Sequence, residues 1–451
     1  MSERPVDGPD LEDTDAADDA VEVPLLTSPA DGTPPVVADP EALAATVAAL
    51  ERGTGPVAID AERAQGYRYG SDAYLIQLRR EGSGTHLVDP RAFLVDGRVD
   101  LSVLADPIQE EEWIIHAASQ DLPCLAEVQM VPTRLFDTEL AGRLLNRRRV
   151  GLGALIEEEF GVRLLKEHSA ADWSQRPMPQ EWLTYAALDV ELLVELRDRM
   201  ASALVESGKE AWAEEEFAVL AAEAGAVRPP RQDPWRRTSG IHSVRTPAGL
   251  AVVRELWTVR DGIARSTDKA PGRVLIDVAI TELAARPDPG EDDLRRIAGF
   301  KRRAAQRYRE EWSAALARAT SLSRSELPAM HLPSDSPPPP RTWAGRDPAA
   351  AARWDRVRPA VLELSEANDV PVENLLTPEL LRRLAWQPPQ PLDETTVDEV
   401  LAGLGARRWQ RALVVPVLTP LLDDALTDPE VLEQAAELAR RPRRRHRPAS
   451  S

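Results

Sequence analysis

Four carboxylates and one phenol have the types and spacing to do chemistry. Asp60 and Glu62 close the apolar run Val57-Ala58-Ile59 as Asp60-Ala61-Glu62. Side chains alternate along a strand, so these two carboxylates point the same way. Two carboxylates aimed at one point make half of a site for a hard divalent cation, because Mg²⁺ and Mn²⁺ prefer oxygen ligands. Asp121 follows the strand-like run Trp113-Ile114-Ile115-His116-Ala117 and precedes a helix signal. That puts it at the carboxyl end of a strand, where α/β sheets gather ligands, although it could equally cap the helix that opens at Leu122-Pro123. Tyr185 and Asp189 lie four apart among good helix formers, so both sit on one helix face. There the carboxylate could hold a metal while the phenol orients a water. Each feature alone has an ordinary structural reading: a solvated strand end, a helix cap, a tyrosine packed on a core, and for His116 a satisfied structural histidine. Their order gives them weight.

These residues need a sheet to hold them. Residues 40–50 have Ala, Val and Leu at helical spacing. Val57–Asp60, the alternating Tyr74–Arg79, and Thr85–Asp89 after the turn Gly82-Ser83-Gly84 read as an antiparallel meander. Residues 113–117 and 135–137 add strands, and helices dominate afterwards. The reading is an α/β domain over 41–205, preceded by a disordered acidic segment, 1–40, and followed by a helix and linker, 206–244. A helical unit spans 245–322, and a stiff linker over 323–345 contains Pro337-Pro338-Pro339-Pro340. A second helical unit, 346–425, could be a distant repeat of the first. A helix remnant and Arg-rich tail, 426–451, close the chain.

The net charge is −20, and half of it falls in residues 1–40, where eleven acidic residues face Arg4 alone. This balance disfavours tight, sequence-independent duplex binding and suits a metal-loaded cleft that admits one strand end. The single cysteine, Cys124, excludes an intramolecular disulfide framework and any multi-cysteine zinc site. No run of about 18 apolar residues exists and no signal peptide is evident, so a cytoplasmic monomer without an obligate protein partner is expected.

The ordered set Asp-x-Glu, strand-end Asp and Tyr-x-x-x-Asp resembles the DEDD superfamily of 3′→5′ exonucleases. Thr184 stands where the histidine-bearing branch carries its histidine, so the likeness is to the tyrosine-bearing branch. His116-Ala117-Ala118-Ser119-Gln120-Asp121-Leu122 resembles the second motif of ribonuclease D. Phe136-Asp137-Thr138 resembles its helix-opening segment. Lys166, Ser169, Asp172-Trp173, Arg176-Pro177 and Tyr185-Ala186-Ala187-Leu188-Asp189-Val190 resemble its third block. Residues 245–322 are similar to a helicase-and-RNase-D C-terminal (HRDC) domain, and 346–425 to the second helical domain of such proteins.

The resemblance implies an RNase H-like α/β exonuclease domain, a mixed sheet with flanking helices, followed by two all-α domains. It implies two divalent ions, Mg²⁺ or Mn²⁺. Asp60 would bridge them, Glu62 and Asp189 would complete the nucleophile-side ion, and Asp121 would hold the other through water. Tyr185 would orient the nucleophile. The substrate would be single-stranded RNA 3′ ends, of tRNA precursors or other structured RNA, released as nucleoside 5′-monophosphates. Candidate substrate contacts are Arg63, Tyr67, Tyr69, His116, Lys166 and Arg176. Arg63 departs from the pattern, which usually has an apolar residue there; it could contact phosphate. Tyr67 and Tyr69 could stack on bases or pack on the sheet. Arg147, Arg148 and Arg149 are expected to steer a nucleic-acid backbone. The basic cluster Arg295, Arg296, Lys301, Arg302, Arg303 and Arg307 could meet RNA or form a solvated helix face. A DNA-directed exonuclease and a catalytically silent RNA-binding scaffold are the competing functions. The complete set of carboxylates and the tyrosine counts against the scaffold.

Overall fold

The structure, a computed structural model, describes residues 23–165, 168, 170–226, 229, 231–332 and 335–440. Its centre is a six-stranded mixed sheet built from β1 (Val36–Val37), β2 (Thr54–Arg63), β3 (Ala73–Glu81), β4 (Gly84–Val88), β5 (Glu112–Ile115) and β6 (Arg134–Asp137). The spatial order is β1-β4-β3-β2-β5-β6. The expected meander is present as β2, β3 and β4, antiparallel, whereas β1, β5 and β6 join in parallel. Val57, Ile59 and Ala61 of β2 face one side, with Ile76, Leu78, Trp113 and Ile115, under the helix α1 (Pro40–Arg52). Asp39 starts that helix, accepting hydrogen bonds from the amides of Glu41 and Ala42. By alternation the other face carries Ala58, Asp60 and Glu62. The helix α2 (Gln180–Glu191) packs there, over β2, β3 and β4.

Three expectations about order change. The sequence predicts disorder over 1–40, whereas residues 23–39 are structured. Leu25–Leu26 pairs with Arg163–Leu164, and β1 extends the sheet beside β4. Ala30 donates its amide hydrogen to Glu191, and the Thr33 hydroxyl meets that of Thr184 at 2.8 Å, strapping the segment across α2. Average composition hid two local apolar pairs, Leu25-Leu26 and Val36-Val37. Residues 1–22 lie outside the described residues. The helix within the presumed connector, α3 (Glu210–Ala224), belongs to the sheet domain's packing: its Phe217 meets Phe136 with ring centroids 4.8 Å apart. The proline-rich stretch is not merely a spacer, since Trp343 is fully buried between Trp354 and Trp386 and donates to the Pro338 carbonyl.

The two helical units open alike. Each opens with a twenty-residue helix, α4 (Pro247–Ser266) and α5 (Pro348–Ala367), capped by the side chain of Thr246 or Asp347. Each of these helices is followed by an aspartate in the left-handed region, Asp268 (φ 47°) and Asp369 (φ 48°). A short helical turn then ends on an extended leucine, Leu275 or Leu376. Both aspartate corners dock on the sheet domain. Asp268 accepts from the Tyr69 amide (3.2 Å) and pairs with Arg68. Asp369 accepts from the Asn146 side chain through its carboxylate and from Lys209 Nζ (2.6 Å) through its carbonyl. Lys209 is buried and also donates to the Leu144 carbonyl. Lys209→Met therefore leaves two carbonyls without this donor, at a cost of about 1–3 kcal/mol. Hydrogen exchange should accelerate around residues 368–376 while the amides of β2 stay protected.

Candidate active site

The helix α2 and the end of β2 bring the site together. One ligand oxygen from each of Asp60, Glu62 and Asp189 falls within 4.8 Å of the others. Glu62 is buried, while Asp60 and Asp189 keep part of their surface open above deeply set carboxylates. Burial pushes all three carboxyls above their ordinary range; neighbouring negative charges add to this at Glu62 and Asp189, whereas at Asp60 the Ala61 backbone hydrogen bond and the Arg63 guanidinium pull the other way. Among the described residues none of the three makes a salt bridge, and the cluster offers oxygen alone. That donor set suits a hard divalent cation such as Mg²⁺ or Mn²⁺.

Asp121 arrives from the other side of β2. The chain leaves β5, turns left-handed at Ala117 (φ 57°) and makes one 3₁₀ turn over Ala118–Gln120. Asp137 holds that turn, accepting from the amides of Ala117 (3.0 Å) and Ala118 (2.9 Å) while also capping the helix Thr138–Leu144. Asp121 makes no capping bond to the helix Leu122–Glu127, so its carboxylate is free for another role. It pairs with Arg63, Nη2 to Oδ1 at 3.1 Å. Burial pushes its carboxyl up to about 8 and Asp60 adds to this, while the Arg63 guanidinium pulls the other way. Tyr185 hydrogen-bonds Asp189, and burial raises its phenol above the ordinary value, so it is neutral at pH 7. It lies against His168 and Trp173, and Trp182 packs behind them. His168 and Trp182 did not emerge from the sequence: Trp182 had a signal, one turn before Tyr185, but His168 had none.

The candidate substrate contacts mostly serve the fold. Arg176 spends all five of its N–H donors on Asp89 and on the carbonyls of Tyr74, Trp173 and Gln175, leaving none for a phosphate. His116 meets the Thr138 hydroxyl at 2.9 Å, and burial lowers its pKa to about 4, so it is a neutral structural group. Tyr69 packs into the core of the first helical unit and donates to Asp261, which removes it from base stacking. Tyr67 lies in the cluster that contains Tyr185, with the Arg273 guanidinium 4.0 Å from its ring centre. Arg63 is engaged with Asp121 rather than open to solvent phosphate. Arg147 and Arg149 pair with Glu157, Glu158 and Glu159, so they do not present a free basic patch. Lys166 lies outside the described residues, as does the arginine tail beyond Arg440.

Three family models match the chain: a 3′-5′ exonuclease over residues 34–205, an HRDC domain over 249–316, and a 3′ to 5′ exonuclease C-terminal domain over 336–422. Ribonuclease D from Pseudomonas paraeruginosa is 30% identical over 268 residues, covering 55% of this chain and 70% of that protein. The chain belongs to the ribonuclease D family. Ribonuclease D from Gluconacetobacter diazotrophicus is 29% identical, with 74% of this chain and 81% of that protein covered. Among solved structures, a protein from Bifidobacterium adolescentis is 37% identical with a TM-score of 0.80, covering 89% of this chain and all of that one. Escherichia coli RNase D shares the fold at 24% identity and a TM-score of 0.61, covering 86% of this chain and 98% of that one. Like other members of the ribonuclease D family, the chain is a hydrolytic 3′→5′ exoribonuclease. Among the described residues, no helix is long and apolar enough to cross a membrane.

The raised carboxyls make stability depend on pH. A carboxyl whose folded pKa lies above its unfolded value favours the fold below the unfolded pKa, and that contribution is lost as pH rises through the folded one. For Asp121 the window runs from 3.8 to about 8. Metal-free protein should therefore lose melting temperature across this window. The gain on adding Mn²⁺ should grow over the same range, because a cation binds the ionised carboxylates. Thermal melts at several pH values, with EDTA or with Mn²⁺, check both trends.

Proposed function

We propose that the chain hydrolyses RNA from the 3′ end with two divalent cations, acting on structured RNAs such as tRNA precursors and releasing nucleoside 5′-monophosphates. One observation carries this reading: three carboxylates set deep in the site converge within 4.8 Å, without a salt-bridge partner among the described residues, beside Asp121 and Tyr185. Asp60, Glu62 and Asp189 would hold one ion, and Asp60 and Asp121 the other. When bound, the ions activate the attacking water and stabilise the leaving 3′-oxygen. The chain's own part is positioning. Asp189 and the His168–Trp173 pair fix the Tyr185 ring, and its neutral hydroxyl orients a water without acting as a strong base.

A route for the strand is supported on the first helical unit. A cavity of about 320 Å³ lined by Tyr67, Arg68, Asp172, Asp268, Lys269 and Arg273 adjoins the Tyr185 cluster. It shares Lys269 and Arg273 with a groove of about 690 Å³ that Arg303 and Arg307 also line. Of the basic cluster read in the sequence, Arg303 and Arg307 face this groove, whereas Arg295 is paired with Glu291 and Asp292. A run of cations with no carboxylate in the larger groove suits the RNA backbone behind the cleaved end.

Two measurements test this. Labelled single-stranded RNA and DNA are incubated with Mg²⁺, Mn²⁺ or EDTA. Mononucleotide release should require metal, favour RNA, and fall by roughly a hundredfold or more in Asp60→Ala and Asp189→Asn. Release that survives both substitutions overturns the site, and equal activity on DNA removes the RNA preference. Arg303→Glu with Arg307→Glu should raise KM on long RNA and flatten its salt dependence, with turnover of a dinucleotide unchanged.

A further inference from the structure

Arg63 follows Glu62 at the end of β2, and its side chain reaches Asp121. In the β2–β3 ladder Glu62 faces Leu75, but Arg63 faces Ala73, so the register skips Tyr74. The extra residue belongs to β3, so the pairing of the two strands is irregular opposite Arg63. The guanidinium donates to the Gln120 carbonyl at 2.7 Å and pairs with Asp121 Oδ1 at 3.1 Å. Asp121 is thus the one carboxylate of the four with a salt-bridge partner among the described residues, and the metal-ligating group of Asp60, Glu62 and Asp189 leaves it out. The Arg63 side chain is 23% exposed and Asp121 only 7%. The cation therefore sits on the open side of the pair and can withdraw without unpacking a core.

We propose that Arg63 is a positioning residue: it holds Asp121 by charge pairing in the RNA-free enzyme and competes with the divalent cation that Asp121 would bind. The proposal rests on the two-cation reading above. It predicts two unequal sites, one ready for a cation on Asp60, Glu62 and Asp189, and a weaker one at Asp121 whose occupant must displace a guanidinium. Arginine's fork suits this role, since one nitrogen can stay on the Gln120 carbonyl while the other releases the carboxylate.

Binding of Mn²⁺ to the full RNA-free chain, followed by calorimetry and by the electron-spin signal of free Mn²⁺, tests this without catalysis. Wild type should take up one ion tightly and a second weakly, and Asp121→Asn should abolish the weak one. Arg63→Gln should tighten the weak ion by about tenfold, because the competing charge is gone. Arg63→Lys, which keeps the charge, should remain close to wild type. A second ion that is unchanged or weaker in Arg63→Gln overturns the proposal while leaving the two-cation site intact. A wild-type chain that binds no Mn²⁺ overturns both. Melting curves verify that the Gln variant is folded. If it is not, Arg63→Met carries the same comparison, and the same tenfold gain or its absence decides.

Discussion

Like charges buried together are the constraint on which this structure turns. Asp60, Glu62 and Asp189 repel one another in a place where burial already penalises each charge. Nothing in the cluster itself favours that convergence in the absence of a cation, so the surrounding packing must impose it. The sheet fixes Asp60 and Glu62 on one face of β2, and α2 is clamped over that face by Leu183, Ala186 and Ala187 against Leu75 and Leu87. Asp137 performs the matching task for Asp121 by tying down the turn that carries it. The apolar core thus supplies the free energy that holds an electrostatically unfavourable arrangement, and a cation relieves it.

The helical units are joined to this centre by polar corners, and the second unit also shares a continuous apolar core with the sheet domain. The loop that follows Glu62 receives the first unit: Tyr67 accepts the Ala270 amide, Tyr69 reaches Asp261, and Arg273 donates to the Gly66 carbonyl. The second unit meets α3 through the stacked rings of Trp212 and Trp409 (4.6 Å, 13°) and through Glu215 and Glu216, which accept from residues 407–409. Both units use the same aspartate corner, although one docks beside the catalytic strand and the other beside Lys209. Repetition of a corner lets one fold bind two unlike surfaces. Only the first of these surfaces lies next to Tyr67 and the catalytic cluster.

The carboxylates were legible in the sequence because their periodicities are local. Asp60 and Glu62 share a strand face, Tyr185 and Asp189 share a helix face, and both facts follow from backbone geometry alone. The meander was legible for the same reason: alternation and the glycine turn are short-range signals. Arg176, His116 and Tyr69 misled as substrate contacts because their partners lie 87, 22 and 192 residues away, at Asp89, Thr138 and Asp261. A side chain's chemistry tells which bonds it can make; the fold decides whether they are already made.

By itself, the sequence determined the kind of chemistry, hard oxygen ligands with an orienting phenol, and the strand and helix faces that carry them. The tertiary structure decided which groups remain available. It closed Arg176 with five internal bonds, gave Tyr69 to a domain contact, strapped residues 23–39 over α2, and set Arg63 against Asp121. The physical reason is range. Backbone periodicity acts over a few residues, whereas burial and ion pairing depend on which distant segments arrive at the same point.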